Sequence, residues 1–192
     1  NASSINYRDL GTVSDPRPRG IPYPKIPNSD GAGEVTAVGD CVTRFKVGDR
    51  VMGTFMQNWV DGPMTPTAID SALGGSVDGL LTEYAVLDED GLVSTPSHLS
   101  DTEAATLPCA AVTAWHSLVE VGGVKAGDTV LLLGTSGVSI FALQFAQMLG
   151  ARVIHTSSSD EKRARLRELR AWQTITYADT PEWQDAVMDI SE

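Results

Sequence analysis

Phosphate chemistry is written into residues 134–139. Gly134-Thr-Ser-Gly137-Val-Ser139 follows an apolar run, Val130 to Leu133, and leads into a stretch where Val138, Phe141, Ala142, Phe145 and Leu149 recur at helical spacing before Gly150. Ala151-Arg-Val-Ile-His-Thr156 comes directly after, so the order is strand, glycine turn, helix, strand. A helix N-terminus presents unsatisfied N–H groups to an anion, and glycine lets the backbone approach a pyrophosphate with no Cβ between. Gly134 and Gly137 provide that room, and Gly134, Thr135, Ser136, Gly137 and Val138 are the candidate pyrophosphate-binding residues. The dinucleotide fingerprint is G-x-G-x-x-G; here Ser136 and Ser139 hold its second and third glycine positions, so the flanking strand and helix carry the reading. A doubly wound domain that binds no nucleotide would show the same strand and helix.

The elements that must position this turn follow from periodicity. A continuous apolar run suits a strand buried on both faces of a parallel sheet. From residue 128 the pattern predicts strands over 128–133, 152–156 and 173–177 and helices over 137–149, 160–169 and 181–190, one mononucleotide-binding half of a doubly wound sheet. Earlier, Gly33–Gly39, Val47–Gly53 and Leu81–Leu87 are short β-branched runs joined by glycine turns, which predicts a small barrel. Pro16, Pro18, Pro22, Pro24 and Pro27 make an extended loop, and Trp59 to Gly79 is a second long loop, either a substrate entrance carrying Trp59 and Met64 or a surface excursion. A helix capped by Ser100 or Thr102 carries Ala104, Leu107, Val112, Trp115 and Leu118 and is interrupted by Pro108. The domain boundary is read there, giving domains 1–107 and 108–192.

Composition narrows the function classes. A formal net charge of −11 in 192 residues disfavours a nucleic-acid partner. The basic cluster Lys162 to Arg170 reads as a solvated helix face, with Lys162 the one exception. No apolar run approaches the roughly 20 residues of a membrane span and no leader opens the chain, which suggests a cytoplasmic protein with no membrane partner. Cys41 and Cys109 are far apart and support neither a disulfide framework nor a structural zinc lobe.

Five segments then carry a family likeness: Ser4-Ile-Asn-Tyr-Arg-Asp9, Asp30-Gly-Ala-Gly-Glu-Val-Thr-Ala-Val-Gly39, Phe45-Lys-Val-Gly-Asp-Arg-Val51, Ala104-Ala-Thr-Leu-Pro-Cys-Ala-Ala-Val-Thr-Ala-Trp115, and Gly134 to Gly150. In that order the chain resembles the medium-chain dehydrogenase/reductases, specifically the zinc-lacking, quinone-oxidoreductase-like members often called zinc-type alcohol dehydrogenases. The resemblance implies a GroES-like β-barrel domain followed by the first half of a Rossmann doubly wound parallel sheet, with the active site in the cleft between them. It also implies a chain incomplete at both ends and a homodimer when whole. Catalytic zinc needs thiolate or imidazole ligands around an open tetrahedral site. By the resemblance the three ligand positions fall at Asn6, Ser29 and Cys109, so zinc is not expected, and His98, His116 and His155 show no ligand spacing.

The resemblance implies that Asn6 and Tyr7 lie beside nicotinamide and substrate, as catalytic candidates, and that Thr113 contacts the nicotinamide side. Tyr7 is a candidate donor of a proton or hydrogen bond, or else a loop tyrosine packed on the barrel; Arg8 and Asp9 could equally form a structural ion pair and stay outside the catalytic set. At the end of the second strand, where an acidic residue would select NAD, stands Ser157, with Ser158 and Lys162 nearby and Tyr177 after the third strand matching a phosphate-contacting tyrosine. NADP is therefore favoured over NAD, although Ser158 to Glu161 also reads as a capping box. Ser136, and Arg170 at a position where glycine usually ends the helix, depart from the family pattern. A left-handed Arg170 would cost about 1 kcal/mol.

The expected function is NADPH-dependent hydride transfer, without zinc, to a quinone, enone or other carbonyl small molecule. The alternatives are a zinc-independent alcohol or aldehyde dehydrogenase and a non-catalytic NADP-binding protein. Unpaired sheet edges predict that the chain alone is inactive and either marginally stable or aggregation-prone. Circular dichroism and size-exclusion chromatography check this: a cooperative melt from a monomeric peak would contradict it.

Overall fold

In the computed structural model, which describes residues 1–191, Ala2–Ser4 (β1), Asp30–Glu34 (β2), Arg50–Gly53 (β3) and Leu92–Ser94 (β4) form an antiparallel sheet in the order β1-β2-β3-β4. Ala2 pairs with Ala32, Ala32 with Met52, and Met52 with Val93. Ala32 and Met52 pack on Ala104 and Ala105, with Ala2, Leu99 and Leu107 around them. Ser100 caps α3 (Asp101–Ala104): its Oγ accepts from the Glu103 N–H at 3.3 Å, and Glu103 accepts from the Ser100 N–H at 2.9 Å. That reciprocal box decides between Ser100 and Thr102. Arg50 ion-pairs with Asp101 and donates to the Leu99 carbonyl at 2.8 Å, tying β3 to α3.

Three strand expectations need correction. Leu81–Leu87 is irregular: Leu80 and Leu81 donate to Asn28 and Pro27, while Leu81, Tyr84 and Val86 are exposed and no strand takes up their backbone among the described residues. The fourth strand is Leu92–Ser94 instead. The run read from Gly33 begins at Asp30 and ends at Glu34, and that read from Val47 begins at Arg50, because Gly48 makes a turn at φ +91°.

A helix not expected from the sequence, α1 (Tyr7–Ser14), opens at Asn6, whose N–H donates to Asp9 at 2.8 Å. Its Arg8 guanidinium lies 4.9 Å from the Phe55 ring centre and donates to the carbonyls of Leu73 (3.1 Å) and Gly74 (3.3 Å). The loop from Trp59 to Gly79 contains one short helix, α2 (Pro66–Ile69), and then packs against Asn28. Contact there is so close that a Cβ on Gly79 would stand 2.2 Å from the Asn28 oxygen and 2.3 Å from the Pro27 oxygen.

The chain falls into two units, Asn1–Cys109 and Ala110–Glu192. At their junction Pro108 offers no N–H, and its ring excludes the carbonyl of Ala104, so α3 stops there. Winding resumes as π-helix over Leu107–Ala111 and His116–Val121, on either side of α4 (Val112–Trp115).

The second unit holds a parallel sheet in the order β5-β6-β7: Thr129–Leu132 (β5), Arg152–Ser157 (β6) and Gln173–Thr176 (β7). Its helices are α5 (Gly137–Met148), α6 (Asp160–Glu168) and α7 (Trp183–Ser191). Ala142, Leu143 and Ala146 of α5 are buried with Val153, Leu166, Ala114 and Leu118. The buried stripe thus centres on Leu143, with the expected Val138, Phe141, Phe145 and Leu149 half-buried beside it. Burial on both faces holds for β6 from Val153 to Ser157 but not for β5. Val130 and Leu132 pack against the core, whereas Leu131 (38% exposed) and Leu133 (58%) alternate to the other face.

Helices α5 and α6 end the same way. Ala151 donates to Ala146 and Gly150 to Gln147; Ala171 donates to Leu166 and Arg170 to Arg167. Each is a Schellman motif with its penultimate donor left-handed, at φ +79° for Gly150 and +63° for Arg170. Arg170→Gly is therefore expected to stabilise the chain by about 1 kcal/mol. Gly79→Ala should destabilise it by about 2 kcal/mol or more, because backbone atoms must move. Urea denaturation midpoints check both, and an Arg170→Gly loss would contradict the strain argument.

Candidate active site

Polar side chains in the first unit converge on Asp30. Asp30 is fully buried at the start of β2. Ser29 Oγ donates to its Oδ1 at 2.8 Å, the Cys109 N–H donates to its Oδ2 at 3.0 Å, and Asn6 Nδ2 donates to Ser29 Oγ at 3.5 Å. Burial raises the Asp30 carboxyl above its usual range, opposed by hydrogen bonds from Ser29, Asn6 and Cys109 and reinforced by the nearby Asp9 carboxylate. Asp9 is itself buried and pairs with Arg8 at 3.3 Å, which is the structural reading of the two. Sequence reasoning missed Asp30, and its one signal is a carboxylate at the head of a strand whose neighbours are all small.

The positions read as Asn6, Ser29 and Cys109 thus lie together, linked through Asp30. They supply one amide, one hydroxyl and one thiol, a donor set that suits catalytic zinc poorly. Among the described residues no group of three or more His, Cys, Asp or Glu gathers to hold a metal. Cys109 is half-buried and donates its backbone N–H to Asp30. Tyr7 is 89% exposed at the start of α1, so the alternative of a packed tyrosine does not describe it. A cleft of about 270 Å³ is bounded by Gln57, Ser71, Leu73, Val77 and Leu87, and neither Trp59 nor Met64 lines it; Trp59 instead donates to Gly62 at 3.0 Å.

In the second unit Gly134 takes φ +69°, a conformation that only glycine adopts at little cost. Its carbonyl bonds His155 Nε2, and its N–H donates to Thr156 Oγ1 at 3.4 Å. Ser136 is the N-cap of α5 yet makes no capping bond; its hydroxyl lies 3.4 Å from that of Ser139, which donates to the Leu133 carbonyl at 2.8 Å. The first-turn N–H groups at Gly137 and Val138 are therefore left without a side-chain cap. Gly137 is exposed and a Cβ there would meet only Ala110, at an ordinary 3.7 Å. The protein's own packing does not demand glycine at 137, which leaves open space before the helix. Thr113 is exposed on α4, one turn beyond Ala110.

Ser157, Ser158, Lys162 and Tyr177 lie together at the carboxyl ends of β6 and β7. Ser157 is buried, with its Oγ directed at the Ser159 carbonyl (3.4 Å) and its own carbonyl accepting from the Tyr177 N–H (3.2 Å). Ser158 and Lys162 are exposed, and Lys162 Nζ donates to Ser158 Oγ at 3.3 Å. The capping reading of Ser158 to Glu161 is corrected by one residue: Ser159 caps α6, accepting from the Lys162 N–H at 3.4 Å, so Ser158 is not consumed as a cap. His155 was also missed, because a lone histidine within a strand pattern signals nothing from spacing.

Burial holds the His155 imidazole below its ordinary value, opposed by its bond to Gly134. The unfolded chain therefore takes up a proton that the folded chain refuses as pH falls below about 6.5, and stability falls with it. Asp30 acts in the opposite sense, its contribution lost as pH rises through its raised value. Between pH 7.5 and 5.5 the unfolding free energy from urea denaturation should fall with a slope of up to about 1.4 kcal/mol per pH unit, and this slope should shrink in His155→Gln. Equal slopes in the two proteins would contradict the assignment.

Comparison with known proteins bears on both halves. Residues 1–97 match the alcohol dehydrogenase GroES-like domain model and residues 137–192 the zinc-binding dehydrogenase model. The chain is 48% identical over 192 residues to a zinc-type alcohol dehydrogenase-like protein of Schizosaccharomyces pombe, covering 99% of this chain and 56% of that one. It is 37% identical over 161 residues to a quinone oxidoreductase of Pseudomonas aeruginosa, covering 82% and 43%. A crystal structure of a Sinorhizobium meliloti protein described as an alcohol dehydrogenase superposes with a TM-score of 0.90 at 44% identity, covering 98% of this chain and 56% of that one. The chain spans about half the length of the curated relatives it matches.

Proposed function

Because the chain belongs to the medium-chain dehydrogenase/reductase superfamily, we propose that it serves an NADPH-dependent reductase of quinone, enone or related carbonyl acceptors that works without zinc. The observation that carries this reading is the Asn6–Ser29–Asp30 network. At the positions where the zinc-dependent pattern would gather ligands, this chain keeps one thiol and commits its other two side chains to a buried carboxylate. No Lewis acid is then available to stabilise an alkoxide, and acceptors already activated for hydride are favoured.

Reduced nicotinamide, when bound, supplies the hydride. The chain's own residues bind and orient. The turn at Thr135 and Ser136 and the uncapped first residues of α5, Gly137 and Val138, offer N–H groups to the pyrophosphate. Ser158 and Lys162 offer a hydroxyl and a cation where a 2′-phosphate would lie, and Ser157 puts no carboxylate there to repel it. By the family resemblance, Tyr177, whose N–H donates to the Ser157 carbonyl, is assigned to the phosphate and exposed Thr113 to the nicotinamide side. Asn6, held by the Ser29–Asp30 pair, presents its amide to the acceptor oxygen; exposed Tyr7 is the donor free to reach it.

Fluorescence titration and stopped-flow oxidation of NADPH by a panel of quinones, enones and aldehydes, on the full-length protein with both domains whole, test the proposal. NADPH should bind at least about tenfold more tightly than NADH, Lys162→Ala should remove most of that preference, and a chelator should leave turnover unchanged. Tighter NADH binding or loss of turnover on chelation would contradict it. Dinucleotide binding with no turnover of any acceptor would favour the non-catalytic reading.

A further inference from the structure

We propose that His155 is the positioning residue of the dinucleotide turn, aiming the Thr135 N–H at the phosphate by holding the Gly134 carbonyl. The inference rests on the dinucleotide reading of residues 134–139 and assigns a residue that no part of that reading uses. His155 and Thr156 are consecutive in β6, so their side chains leave opposite faces of the sheet. Both reach Gly134, His155 at its carbonyl and Thr156 at its N–H, so the two polar atoms of one glycine are gripped from both sides of the neighbouring strand.

A planar trans peptide couples the Gly134 carbonyl to the next amide. The N–H of Thr135 shares a plane with that carbonyl and points the opposite way, so pulling the carbonyl toward the ring turns the Thr135 N–H away from it. Left-handed Gly134 allows this orientation, and the His155 bond selects it. Thr135, Gly137 and Val138 then present successive N–H groups at the head of α5, the concave arrangement that cradles anions. A carbonyl acceptor requires hydrogen on Nε2, so the ring is the Nε2–H tautomer when neutral. Its Nδ1 is buried with no partner among the described residues.

That unpartnered nitrogen separates a positioning role from a packing role. An unsatisfied polar atom in the interior is unfavourable, and half-exposed Gly134 can turn its carbonyl to water once the ring is gone, so an apolar residue of similar size should pack at 155 at least as well. If His155 served stability alone, His155→Leu would be neutral or better in every assay. A positioning role predicts that the same substitution keeps the melt and loses the cofactor.

The experiment compares wild type, His155→Leu and His155→Gln, whose amide nitrogen can reach the place of Nε2. Dissociation constants for NADPH and NADH, unfolding midpoints, and the ring tautomer of wild type by nitrogen-15 NMR at pH 7 are measured. Expected are an Nε2–H ring, an unfolding midpoint for His155→Leu no lower than wild type, and affinities for NADPH and NADH weakened by the same factor of about ten or more. His155→Gln should recover both to within about threefold. An Nδ1–H ring, unchanged affinity in His155→Leu, no recovery in His155→Gln, or a loss confined to NADPH would overturn the proposal. If wild type binds neither dinucleotide, the proposed function itself fails, while the ring tautomer still reports whether His155 holds Gly134.

Discussion

One residue in a left-handed conformation, Gly134, sets the geometry of the second unit's site. It converts a strand into a helix within five residues and leaves the first N–H groups of α5 uncapped. That turn is defined only because β6 holds it: the parallel register pairs Leu132 with His155, so the two residues that grip Gly134 arrive just beyond the end of β5. The hydrophobic packing of Leu143, Ala146, Val153 and Leu166 fixes that register. Core packing thereby orients a few backbone amides, the groups that can meet an anion.

The first unit follows a different rule, in which a buried carboxylate organises its surroundings. Asp30 is kept from water and satisfied by Ser29 and the Cys109 backbone, and its strand is approached from outside by a loop that fits only because position 79 has no side chain. Arg8 joins α1 to the same loop through the Leu73 and Gly74 carbonyls, so the helix that begins at Asn6 and Tyr7 is fixed relative to Ser29 and Asp30. Small residues at 29, 31, 32 and 33 make such close polar packing possible.

Elements with strong periodicity were legible from the sequence. The periodicity after residue 127 placed all three strands and three helices to within about two residues, and α5 and α6 end at a left-handed residue that the pattern marks. Arg170 was legible as strained, since the position demands a left-handed residue whichever side chain stands there. Leu81–Leu87 misled, because β-branched composition marks a strand only where a neighbour takes up its hydrogen bonds. Helix α1 was hidden by its length of eight residues and by the prolines after it. At the site, glycines and serines declared themselves through spacing, whereas Asp30 and His155 act through burial and contacts between distant segments, which no local pattern encodes.

The central claim is that the amides from Thr135 to Val138 bind the dinucleotide. Backbone amide NMR during NADPH titration tests it most directly. The account predicts saturable shifts centred on Thr135, Gly137 and Val138, with a second cluster at Ser158 and Lys162. Saturable NADPH binding that leaves residues 135–138 unshifted would contradict it.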